Sequence, residues 1–292
     1  MDVAPGLGGR GLAAALLAAA VVAWLLAIAG AVLTWSGFEL RRDGDRLLVQ
    51  HGLLDRQRRS IPIDRLQGVS VREGPLRRPF GLAELRFESA GWGGRAAEGG
   101  VLFPLLPTAA APALIAAAAP IFAPPDPLPP LTGPPPRARS RYLGQPLRDG
   151  AAAVALGIVV AGLLPGVAWW WGLALTVFAP LALLDGALGY RDTGWLLDRG
   201  RLIAREGGLT RRTTVAPLRR LQEREVRQTL FARRAGLATF VARLASRGAG
   251  SVVALRHLDA AAAQALAENL GPPAAGASAP LRESATIARE YT

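Results

Sequence analysis

Eight arginines fall between positions 211 and 234: Arg211, Arg212, Arg219, Arg220, Arg224, Arg227, Arg233 and Arg234. A guanidinium is permanently charged and can hold phosphate or carboxylate oxygens through paired N–H donors. Residues 186–258 carry 15 arginines against five acids, so local pairing leaves a surplus. The chemistry this set offers is binding of anionic lipid headgroups or of an acidic protein. A plainer reading of the same charge is the basic flank of a membrane span, where each cation gains about 1 kcal/mol beside an anionic leaflet without specificity. Nucleic acid would use the same charge, but no recognition motif accompanies it, so no nucleic-acid partner is assigned.

The remaining chemistry is sparse. All 34 basic residues are arginine, which excludes a phosphate-loop lysine and a Schiff-base lysine. With no cysteine there is no disulfide, thiolate metal site or thiol nucleophile. His51 and His257 are isolated and read as ordinary surface or rim residues, because a metal site needs clustered ligands. Residues 246–251 (SRGAGS) read as a hairpin turn, since Val252-Val253 continues as strand where a phosphate loop needs a helix. Glu223 and Glu225 stand among arginines and fit a salt-linked surface strand better than acid–base catalysis. No catalytic, cofactor-binding or metal-ligating residue is assigned, and the chain is read as a non-enzyme.

The elements that must position these residues begin with apolar runs. Residues 12–35 carry no charge for 24 positions, about 36 Å of helix, enough to cross a hydrocarbon core of about 30 Å. The run is longer than the apolar region of a signal peptide, so a retained span is expected after a stub at 1–11. Residues 150–184 are also uncharged; one helix of that length would overshoot the bilayer, so a hairpin of two short helices turning at Pro165-Gly166 is expected. Trp169, Trp170 and Trp171 would then lie at the far interface. Arg41, Arg42 and Arg46 follow the first run, Arg137, Arg139, Arg141 and Arg148 precede the second, and Arg191, Arg199 and Arg201 follow it. The positive-inside rule places all these flanks in the cytoplasm. Residues 120–149 read as a proline-rich linker and 271–292 as a disordered tail.

The strongest pattern is an internal repeat. Residues 46–83 align without a gap on 201–238, with 15 of 38 positions identical. The informative matches are Gly52/Gly207, Pro62/Pro217, Leu66/Leu221, Gln67/Gln222, Arg78/Arg233 and Gly81/Gly236. An offset of 155 means two copies of a domain rather than a solenoid. Each copy reads as short antiparallel strands that reverse at Gly52 or Gly207 and close on one helix, begun by Thr108 or Asp259 as cap.

The run Gly-Leu-Leu…Ile-Pro-Ile-Asp-Arg-Leu-Gln…Leu-Arg-Arg-Pro-Phe-Gly-Leu-Ala over 52–83 resembles the bacterial pleckstrin-homology-like (PH-like) domains of YdbS/YdbT-type membrane proteins. The second copy matches the same pattern more loosely. The resemblance covers both repeats and their spans. It implies a mixed membrane protein: transmembrane helices plus two β-rich PH-like domains, at 36–119 and 186–270, each made of antiparallel sheets capped by a C-terminal helix. It carries no catalytic site. One span rather than a pair precedes the first copy, and longer relatives hold a further domain upstream, so a chain truncated upstream is one expectation. The implied function is a scaffold or adaptor of the bacterial inner membrane, multi-pass, with both domains cytoplasmic. The implied partners are anionic phospholipid, a membrane protein or a second copy. The alternative is a component of an envelope-stress or antimicrobial-resistance system.

Overall fold

The computed structural model describes residues 9–54, 56–89, 100–163, 179–245 and 252–269. It divides at Asp64/Arg65 into two units. The first holds helix α1 (Gly9–Trp35) and an antiparallel sheet of β1 (Glu39–Asp43), β2 (Arg46–His51) and β3 (Gln57–Pro62), in that order. Side chains alternate across a strand, so β2 buries Leu47, Val49 and His51 while Arg46 and Leu48 face out. Beyond Arg10, helix α1 is apolar all round, and its described side chains are mostly exposed, the pattern of a helix whose solvent is lipid. Leu17–Trp35 is, among the described residues, the one helix long and apolar enough to cross a membrane.

The second unit holds a six-stranded sheet and a three-stranded one. Its strands are β4 (Leu66–Glu73), β5 (Leu82–Ser89), β6 (Val101–Pro107), β7 (Gly194–Asp198), β8 (Arg201–Glu206), β9 (Arg211–Pro217), β10 (Leu221–Arg227), β11 (Leu237–Leu244) and β12 (Val252–Asp259). The larger sheet runs β6-β5-β4-β9-β8-β7 and the smaller β10-β11-β12. Its helices are α2 (Ala111–Ala118), α3 (Arg139–Leu163), α4 (Ala179–Asp192), α5 (Leu230–Arg234) and α6 (Ala260–Asn269).

The repeat is visible strand by strand. β1, β2, β5 and the start of β4 recur 155 residues later as β7, β8, β11 and the start of β10, and the three-strand orders match. Gln67 and Gln222 both hold the second position of their strand. Gly81 and Gly236 both take φ +64, a left-handed turn that a β-carbon would strain, before the shared Leu-Ala. In the second copy Leu202, Ala216, Leu221, Phe240, Leu244 and Leu255 form one core with Ala263 and Leu266 of α6. That is a two-sheet domain plugged by its C-terminal helix.

The boundaries 36–119 and 186–270 do not separate the sheets. β4 of the first copy pairs antiparallel with β9 of the second, Val69 opposite Val215 and Glu73 opposite Arg211. This seam makes the larger sheet continuous through both copies.

Other expectations need correction. The proline-rich linker 120–149 holds no named element between Phe122 and Pro136, yet it is docked: Phe122 and Ala138 are fully buried, Thr132 bridges to Trp195, and Arg201 bonds the carbonyl of Ala123. Helix α3 starts at Arg139, well before the apolar run. The apolar part of α3, 150–163, is about 21 Å long at 1.5 Å per residue, so a second crossing is not established by the described residues. Residues 9–11 of the expected stub 1–11 belong to α1, while its residues 1–8, Pro165-Gly166, the tryptophan triplet, the turn at 246–251 and the tail lie outside the described residues. Asp259 does cap α6, its Oδ1 accepting the N–H of Ala261 at 3.0 Å. Thr108 does not cap α2, because a 3-10 turn over Thr108–Ala110 intervenes. The reversal of the second copy uses Gly208 (φ +142) rather than Gly207. Gly207 is required for another reason: a β-carbon there would stand 2.9 Å from the carbonyl oxygens of Leu188 and Gly189.

Candidate functional site

The eight arginines do not form one surface. Arg211 and Arg212 lie in the β4–β9 seam. Glu73, 4% exposed, accepts Nε and Nη2 of Arg211 at 2.9 and 2.6 Å. Burial opposes charge on Arg211, but the hydrogen bond and attraction of Glu73 prevail and raise its pKa. Arg212 lies 3.6 Å from Glu88 and 3.8 Å from Glu206. Arg219 and Arg220 sit in the 3-10 turn before β10. Arg224 is half-buried within β10, and burial lowers its pKa. Arg227 ends that strand about 20 Å from its start, paired with Glu225 at 2.7 Å. Arg233 and Arg234 are exposed on α5.

Helix α5 is short and capped by Thr229, whose hydroxyl accepts the N–H of Ala232 at 3.2 Å. Beside its arginines stand two apolar side chains, Leu230 at 75% and Phe231 at 60% exposure. Arg141 of α3 donates to the carbonyl of Phe231 at 2.5 Å and lies over its ring. From Arg141 to Gly150, where the apolar run begins, the helix rises about 13 Å. The basic and apolar patch of α5 is thus anchored near the foot of that run. In the first copy the corresponding turn also exposes Leu76 and Phe80. Its arginines are committed, Arg77 to Glu84 at 2.9 Å and Arg78 to Asp192 and the carbonyl of Gly208. Leu230-Phe231 beside Arg233-Arg234 was legible as a string of residues; that α5 would present them together was not.

A cavity of about 410 Å³ opens where α3 and α4 meet the second copy. Arg141, Tyr142, Asp185, Thr193, Glu206 and His257 are in its wall. Its polar groups tie elements together. The Tyr142 hydroxyl donates to the carbonyl of Arg256 at 2.9 Å, Asp185 accepts the N–H of Leu209 at 2.7 Å, and Thr193 accepts that of Gly207 at 3.1 Å. Glu206 accepts the N–H of Ala254 at 3.0 Å. Burial raises the pKa of Glu206, partly offset by that bond and by Arg212 and Arg256. No cluster among the described residues has the makings of a metal site.

Neither histidine is an ordinary surface residue. His51 is 4% exposed and stacked on Trp35 at 4.9 Å between ring centres. His257 packs edge-on against Tyr142 at 5.1 Å and takes φ +55, unusual for a residue with a side chain. Burial, then Arg141 and Arg256, lower its pKa. A histidine depressed in the fold contributes stability above its ordinary value, near 6.5, that is lost as pH falls through the lowered one. His257→Asn, which tolerates the left-handed backbone, should therefore lose less stability than the parent between pH 8 and pH 5. Thermal midpoints at the two pH values test this; an unchanged difference between the proteins would refute it.

The chain belongs to the bacterial PH domain family, whose model matches residues 5–119 and 144–274. It is similar to a transmembrane protein of the UPF0699 group, YdbT of Bacillus subtilis (strain 168), at 25% identity over 221 residues. That match covers 75% of this chain and 43% of the relative, so the chain spans less than half the relative's length. No solved structure matches it significantly.

Proposed function

We propose that this chain is a non-enzymatic adaptor of the bacterial inner membrane, multi-pass, with tandem cytoplasmic PH-like domains that engage anionic headgroups. One observation carries the reading: the α5 patch, two exposed arginines beside two exposed apolar side chains, is fastened to α3 near the start of an apolar run. If the run enters a bilayer, the anchor lies on the aqueous side of the headgroups, which long arginine side chains on the patch can reach. Guanidinium groups would take the phosphates, with Leu230 and Phe231 packed against the headgroup layer beside them. The YdbT relative is named a transmembrane protein, and the span over Leu17–Trp35 fits the same setting. The charged groups of the cavity are engaged in holding the fold, which favours a binding role over catalysis.

The full chain in liposomes tests this. A fluorophore on Ala235→Cys, in a chain with no other cysteine, reports energy transfer to acceptors on the lipid surface. Transfer should rise when phosphatidylglycerol replaces phosphatidylcholine and fall as salt shortens the screening length from about 10 Å to about 3 Å. Arg233→Gln with Arg234→Gln should remove most of that response. Equal transfer in neutral and anionic lipid would overturn headgroup binding.

A further inference from the structure

We infer that the tip of the β2–β3 hairpin, Leu53-Leu54, is seated in the lipid bilayer beside the end of α1. The inference rests on α1 being a membrane span and adds a second lipid contact, on the first copy.

The tip is locked to the helix by hydrogen bonds. The last carbonyls of a helix have no partner within it. Here the N–H of Leu53 donates to the carbonyl of Leu33 at 3.0 Å, and that of Gly52 to the carbonyl of Ser36 at 2.9 Å. Nδ1 of His51 lies 3.0 Å from the carbonyl of Thr34, an acceptor, so Nδ1 carries the proton. The hairpin therefore caps the helix, and its depth is set by the depth of the helix end. A helix carbonyl points toward the C-terminus, so the Leu53 amide on the Leu33 oxygen stands within the last turn, about level with the end of α1.

The side chains match that depth. Leu53 is 59% and Leu54 83% exposed. Trp35 and Phe38, which both stack on His51, form an aromatic layer of the kind found at headgroup level. Arg56 and Arg58, both exposed, follow the tip toward the aqueous side. A lipid surface fits better than a protein partner because the tip's level is fixed against an apolar helix. The second copy repeats the docking, with Gly207 against Leu188 and Gly189 and the N–H of Leu209 on Asp185. There Leu209 is half-buried and a carboxylate stands at the contact, so the lipid-facing version belongs to the first copy.

Spin labels on single cysteines of the full chain, in vesicles of phosphatidylethanolamine and phosphatidylglycerol, test the inference. Leu25→Cys reports the middle of α1, Leu54→Cys the tip, and Asp43→Cys the far end of the sheet. The expected result is that the Leu25 and Leu54 labels relax severalfold more with oxygen, which concentrates in lipid, than with an aqueous nickel chelate. The Asp43 label should show the reverse. A Leu54 label that behaves like Asp43, while Leu25 still reports lipid, overturns the tip and leaves the span standing. A Leu54 label shielded from both reagents points to a protein partner and also overturns it. A Leu25 label open to nickel overturns both the span and the tip.

Discussion

Glu73→Ala should destabilise the seam between the two copies more than any other single loss of charge in the chain. Removing the carboxylate leaves Arg211, three-quarters buried, without its bidentate acceptor. Breaking a buried pair from one side costs about 3–5 kcal/mol. A second effect adds to it. Arg205 is held below the usual arginine range by burial and then by repulsion from Arg211, and Glu73 is the first group that offsets this. Without Glu73, Asp192 alone among the groups acting on both guanidiniums offsets their repulsion. Amide exchange across β4 and β9 should accelerate, while the β11–β12 pairing, which belongs to the smaller sheet, should change less. Adding Arg211→Met to Glu73→Ala should recover part of the loss, because no buried cation then lacks a partner. Unchanged protection of β4 and β9 in the single variant would show that the pair does not hold the seam.

The second large effect is expected where α3 meets α4. A β-carbon at Gly186 would stand 2.2 Å from the backbone oxygen of Tyr142, and one at Gly189 3.1 Å from its ring. Small residues let two helix backbones approach this closely. Overpacking costs about 1–3 kcal/mol where side chains can adjust, and at Gly186 the obstacle is backbone. Gly186→Val should therefore separate the helices, with the Tyr142–Arg256 bond lost. Gly189→Ala should do less harm, its neighbour being a ring that can turn. Gly144→Ala, with open space around the site, should be neutral or stabilising by up to about 1 kcal/mol from helix propensity. Thermal midpoints of the three variants in detergent check the ranking. A Gly186→Val midpoint equal to that of Gly144→Ala would mean the helices do not pack as described.

Several features could be read from residue order because they are local. The offset of 155 placed equivalent strands correctly, since a strand's alternation and its closing glycine are written in adjacent residues. Gly81 and Gly236 are examples, both followed by Leu-Ala and both left-handed. Asp259 was recognisable as a cap for the same reason. Thr108 resembles a cap in sequence, but the 3-10 turn over Thr108–Ala110 separates it from α2. For residues 120–149, proline content reports stiffness and not docking. What the prolines could not convey is that Phe122 finds a buried site.

The candidate site shows the same division. That the second copy carries surplus positive charge follows from composition alone, as does the exclusion of lysine and thiol chemistry. Which arginines are exposed does not follow from it. Arg211 and Arg233 look alike in sequence, yet one is bound by Glu73, 138 residues away, and the other stands exposed on α5. Ion pairing depends on distances between chain segments, and the β4–β9 pairing that sets this one is a tertiary event. The sequence by itself determined two repeated β-rich copies, an apolar helix long enough for a bilayer, and a basic second copy, because each is a property of neighbours along the chain. Only the tertiary structure decided that one sheet runs through both copies, that the seam consumes Arg211 and Arg212, and that the Leu53-Leu54 tip caps the end of α1. Each of those requires two distant segments to meet, and no local pattern encodes which ones will.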